Sequence, residues 1–152
     1  MPGVHRRQTG RELAMETLCR WSGTWGVLFG RLCLAALFLQ SGIDKVLQYD
    51  KTLKLMAGKG MPLAEWLLPP AILILLAGGL MLLLGWKARW AALALIVFMI
   101  PATLVFHSFW TYPEAQYVNQ LHHFYKNLAI IGALFLVLGQ GAGAMSLEQE
   151  RR

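Results

Sequence analysis

Five side chains have the types and spacing to do chemistry together: Lys45, His107, His123, Lys126 and Asn127. Asn119, His123 and Asn127 recur every fourth residue, so on a helix they share one face, with Lys126 alongside and His122 next to them. His107 ends an apolar run, with Thr103 one turn before it and Trp110 just beyond. Arg31 is a charge of another kind, placed inside an apolar stretch. A separation of fourteen residues brings Arg31 and Lys45 to within about 40° of each other on a helix, with Phe38, Ser41 and Gly42 on the same stripe. That stripe is expected to look inward, Arg31 deep and Lys45 near an interface.

Histidines on facing helices can ligate haem or a metal. Histidine, lysine and asparagine beside aromatics can also donate hydrogen bonds to the carbonyl oxygens of a quinone whose tail lies in lipid. The same residue types populate the belts that anchor helices at a membrane surface. Belt residues, an organic ligand such as quinone, and haem or a metal therefore all stay open, with quinone ahead of haem. No metal is assigned, because HExxH and comparable ligand spacings are missing, as are a Walker loop and GxGxxG. For Arg31, snorkelling to headgroups and an inward partner are both open.

These residues need elements to hold them, and the composition says which. The chain has 152 residues, 57% hydrophobic and 14% charged, with a mean hydropathy of +0.49. A soluble domain averages roughly 45–50% apolar and about 25% charged. A chain this short cannot bury so much apolar surface in a water-soluble core, so its solvent is lipid.

Four apolar segments approach the roughly 20 residues a bilayer requires: about 23–43, 63–85, 90–109 and 121–140. The expected fold is all-α, an integral membrane four-helix bundle with the option of a short N-terminal interfacial helix. Residues 1–22 form a basic arm, 23–141 the bundle, and 142–152 a cytoplasmic tail. The apolar stretch of the first segment is longer than the roughly 7–15 residues of a cleaved signal, and no A-x-A site closes it. In the arm, Thr9 and Glu12 fit a capping box, and Leu13, Ala14, Thr17, Leu18 and Trp21 recur at helical spacing. Pro62 suits a helix start, Pro69, Pro70 and Pro101 fall inside segments, and GVLFG at 26–30 is either a packing motif or apolar filler.

The net charge of +6 forms no continuous basic face and carries no zinc-finger or RNP pattern, which speaks against nucleic acid. It reads instead as topology. Arg6, Arg7, Arg11, Arg20, Lys87, Arg89, Arg151 and Arg152 oppose Lys45, Lys51, Lys54, Lys59 and Lys126, placing both termini in the cytoplasm. Cys19 and Cys33, about 21 Å apart on one helix, are too far apart for a disulfide.

Several motifs in order resemble the DoxX family of small bacterial membrane proteins. Arg31, Gly42 and Lys45 mark the first helix, Gly60 and Pro62 the entry to the second, and LLLGWKAR at 82–89 the turn after it. HSFW ends the third helix, FYKNLAIIGALFLV runs through the fourth, and GQGAGAMSLE closes the match at 148. The resemblance implies a location in the inner membrane and a family label of oxidoreductase. That label comes through likeness to a subunit of an archaeal thiosulfate:quinone oxidoreductase. Members typically carry an acidic residue where this chain has Leu75, which implies that Arg31 lacks its usual partner.

Three functions follow as expectations. The first is a quinone-linked redox component with a partner subunit, Lys45, His107, His123, Lys126 and Asn127 forming the quinone pocket and Arg31 a buried charge. The second is a non-catalytic accessory subunit of a larger membrane complex. The third is a small-molecule transporter, for which no inverted repeat speaks. The expected partners are the lipid bilayer and a membrane or redox subunit, with a homo-oligomer also open and no nucleic acid.

Overall fold

The computed structural model describes residues 10–148, without the side chain of Arg11. Six α-helices and no strand occur among the described residues: α1 (Gly10–Trp21), α2 (Val27–Leu47), α3 (Tyr49–Gly58), α4 (Ala64–Leu84), α5 (Ala88–Phe106) and α6 (Glu114–Gln140). Four helical stretches are long and apolar enough to cross a membrane: Glu12–Leu47, Ala64–Leu84, Ala88–Thr111 and Glu114–Gln140. The all-α membrane fold expected from composition is the fold observed.

The elements differ from the expected segments where hydropathy is a poor guide. A π turn at Ser22–Gly26 joins α1 to α2, and the backbone stays helical on both sides, at φ −63°, ψ −49° for Trp21 and φ −64°, ψ −44° for Val27. The arm is therefore helical over Gly10–Trp21, and its helix runs on into α2 without a break. Thr9 of the capping box lies outside the described residues, as do Arg6, Arg7, Arg151 and Arg152. Pro62 is not the start of α4; Leu63 precedes that helix in the left-handed region at φ 58°. Helix α6 begins at Glu114, not near 121, because Pro113 at φ −63°, ψ 157° turns the chain into a polar first turn that hydropathy does not register.

In the described chain α2 packs on α4, α4 on α5 and α5 on α6. The shared core includes Phe38, Leu75, Leu82, Ala92, Leu95 and Leu134. Between membrane helices there is little hydrophobic drive, so close approach depends on small residues. Gly42 lies against Leu75 and Leu76, Gly78 against Leu95, and Gly79 against Leu39; a Cβ on any of the three would come within 3.0 Å of a leucine side chain. A Cβ on Gly26 or Gly30 would meet nothing within 4 Å, so GVLFG is not a packing motif among the described residues.

Helix α3, in what composition presents as a loop, is amphipathic. Met56 packs with Ala64 and Leu68 in a second small core, which Tyr49, Leu53 and Phe106 border.

Candidate functional site

The chemistry-bearing residues divide between the two ends of the bundle. At the α3 end, a cleft of about 770 Å³ lies among α2, α3, α4, α5 and α6. Lys45, His107, Lys126 and Asn127 line it, together with Ser41 and Thr52, and no carboxylate does. Its remaining wall is apolar, including Phe38, Leu75, Met99 and Ile130. Pro70 and Pro101 line it as well; each removes a backbone donor, which frees the carbonyls of Trp66 and Val97 one turn earlier.

Each polar side chain is held by a neutral partner. Lys45 Nζ donates to Ser41 Oγ at 2.9 Å. Asn127 Nδ2 donates to Thr103 Oγ1 at 3.1 Å, tying α6 to α5. His107, at the end of α5, has Nδ1 2.9 Å from Gln120 Oε1. His123 lies outside the cleft lining but stacks on His107, with ring centroids 5.0 Å apart and planes inclined by 21°. Lys126 Nζ sits 3.1 Å from His123 Nδ1. The face of α6 that meets α5 is thus Gln120, His123 and Asn127, while Asn119 and His122 are exposed. Gln120 is the member that spacing by four passes over, although it lies three before His123 and seven before Asn127 on the same helical stripe.

The histidine pair does not fit haem ligation. Axial imidazoles bind from opposite faces of the macrocycle, and two rings stacked at 5.0 Å leave no room for one between them. Among the described residues no group of three His, Cys, Asp or Glu side chains comes together as a metal site.

At the opposite end Arg31 is 2% exposed. Its guanidinium turns neither to headgroups nor to a carboxylate. Nη1 donates to the carbonyl of Ala142 and Nη2 to that of Met145 at 2.7 Å, while Nε has no partner. The segment they belong to folds back over the α4–α5 turn. Leu147 N donates to Leu84 O at 3.1 Å, Glu148 N to Gly85 O at 3.3 Å, and the Glu148 carboxylate accepts from Lys87 N. Arg89 Nη1 caps the end of α6 at Leu138 O and Gly139 O, 2.9 and 3.0 Å away. Residues 142–148, the described part of the expected tail, therefore close this end of the bundle. The sequence signal was the glycine-rich GQGAG, whose Gly141 and Gly143 take φ of 81° and 78° to make the turn.

Leu75 also corrects the expected pairing of Arg31 with an acid on α4. It packs beside Gly42 in the cleft wall, whereas Gly85 is the residue beside Arg31. Ten residues of helix, about 15 Å, separate the two levels, so an acid at position 75 would face the Ser41–Lys45 end.

The DoxX family model matches residues 26–108, and the SURF4 family model matches residues 70–152. Inner membrane protein YqjF of Escherichia coli (strain K12) is 36% identical over 124 residues, 82% of this chain and 90% of that protein. Inner membrane protein YphA of the same organism is 25% identical over 123 residues, 81% of this chain and 88% of that protein. The ER-derived vesicles protein ERV29 of Saccharomyces cerevisiae is 26% identical over 81 residues, 53% of this chain but 26% of that protein. No solved structure matches the chain significantly.

Proposed function

This chain belongs to the DoxX family, and from that premise we propose that it is a quinone-binding component of an inner-membrane redox system. Both termini lie in the cytoplasm, and a partner subunit exchanges electrons with the bound quinone. The observation that carries the reading is the cleft: an apolar chamber whose one polar pole is Lys45, His107, Lys126 and Asn127. A quinone ring presents two carbonyl oxygens that only accept hydrogen bonds, and this pole is rich in donors and free of carboxylates. When bound, a quinone supplies reversible uptake of two electrons and two protons.

The chain's own residues would bind and orient. Lys45 and Lys126 donate from α2 and α6, and Asn127 is fixed by Thr103. His107 Nδ1–H donates to Gln120 Oε1, so Nε2 of the neutral ring accepts and would take the hydrogen bond of a hydroxyl on the reduced quinol rather than donate to the quinone. Phe38, Leu75, Met99 and Ile130 exclude water and accommodate the start of an isoprenoid tail. Closure of the opposite end by the segment on Arg31 favours a holding site over a transport path.

Solvent extraction of the protein purified in mild detergent tests this. Quinone should be enriched over an unrelated four-helix membrane protein prepared from the same membranes. His107→Ala and Lys126→Ala should each lower the retained quinone about five- to ten-fold, the worth of one hydrogen bond to the head. No enrichment, or retention indifferent to both substitutions, would sink the reading.

A further inference from the structure

A second recess of about 510 Å³ opens at the same end, on the α2–α3 corner. Three lysines, Lys45, Lys51 and Lys54, line it against a single carboxylate, Asp44. The ammonium groups with assigned bonds rest on neutral acceptors: Lys45 on Ser41 Oγ, and Lys51 on Gln48 Oε1 at 3.1 Å. Gln48 and Thr52 add polar groups to the wall, and Leu55 adds an exposed apolar edge.

The position of the recess matters as much as its charge. Helix α2 has 21 residues, about 31 Å of rise, which matches the hydrocarbon core of a bilayer and puts its Lys45 end at headgroup level. Helix α3 packs at that level through Met56 onto Ala64 and Leu68, while Lys51, Lys54 and Leu55 stay exposed. An amphipathic helix that presents lysines and a leucine at headgroup depth meets lipid phosphate and acyl chain together.

We infer that this recess is a binding site for the phosphate of an anionic phospholipid in the leaflet at the α3 end, with its acyl chain along Leu55. Lys45, Thr52 and Leu55 line both the recess and the cleft, so the lipid head sits at the mouth of the cleft and offsets the charge of Lys45. Lys51 and Lys54 line the recess alone. The inference stands whether or not the cleft holds a quinone.

The test is native mass spectrometry of the full chain exchanged into equal amounts of phosphatidylglycerol and phosphatidylcholine with identical acyl chains. The wild type should retain phosphatidylglycerol with a preference of about ten-fold. The double variant Lys51→Gln/Lys54→Gln should bind the two lipids nearly equally, and Lys51→Arg/Lys54→Arg should keep the preference. Both pairs are exposed exchanges, so the helical circular dichroism should not change. Quinone retention, measured on the glutamine variant, should match the wild type, so failure here and failure of the quinone reading are told apart. Equal binding by the wild type, or a preference that survives the glutamine variant, overturns the lipid site. Displacement of phosphatidylglycerol by millimolar inorganic phosphate also overturns it, in favour of a free-anion site.

Discussion

Arg31 shows why an intramembrane charge needs its partners traced and not merely counted. A guanidinium offers five donors in a fixed fork, and here two of its nitrogens reach carbonyls more than a hundred residues along the chain. Each hydrogen bond from a charged donor contributes about 1.5–3 kcal/mol. Arg31→Gln should therefore release the segment 142–148 and raise its hydrogen exchange relative to α4 and α5. It should also lower the thermal midpoint of the purified protein. Unchanged protection of that segment would show that Arg31 does not hold it. Gly85 gives an independent check at the same place. Its φ of 64° suits glycine, and a Cβ would come within 2.6 Å of both Arg31 Nη1 and Ser146 Cβ. Gly85→Ala is expected to cost about 1–3 kcal/mol and to raise the same protections' loss as Arg31→Gln, read by the same exchange measurement.

At the scale of elements, packing is decided by glycines of which the sequence marks only Gly42. GVLFG has the spacing of a packing motif, yet a Cβ on either of its glycines would meet nothing within 4 Å, whereas Gly42, Gly78 and Gly79 sit under leucines of neighbouring helices. Gly78→Ala and Gly79→Ala should destabilise the bundle by about 1–3 kcal/mol through overpacking. Gly26→Ala and Gly30→Ala should be neutral or stabilising by up to about 1 kcal/mol, since alanine is the better helix former. Thermal melts followed by circular dichroism in one detergent compare all four; equal losses would mean that α4 does not meet α2 and α5 through these glycines. Helix α3 was invisible to a search for spans because it has only ten residues and a mixed composition. It exists because its apolar side closes over Leu68 and Ala64. Its lysines, read from sequence only as loop charge, become the wall of a recess once the helix forms.

For the whole molecule, orientation sets which compartment meets the cleft. The Lys/Arg asymmetry predicts a cytoplasmic C-terminus. A reporter active only in the cytoplasm and fused after Arg152 should be functional, whereas one inserted between Gly58 and Lys59 should not. The opposite pattern would turn the cleft and the basic recess towards the cytoplasmic leaflet without altering their geometry.

The sequence by itself determined the class of the protein, because the free energy of placing a segment in lipid is nearly additive over its residues and needs no knowledge of neighbours. It also marked the polar stripe of α2 and most of the polar pole, since helical periodicity is local. Only the tertiary structure decided what those groups meet. Helices α4 and α5 are apolar almost all round, so no stripe tells which side faces the protein and which faces lipid. The partners of Arg31, the stacking of His107 on His123 and the closure of one end by residues 142–148 join positions far apart in the chain. Those contacts depend on how the helices are arranged around one another, which local patterning does not encode.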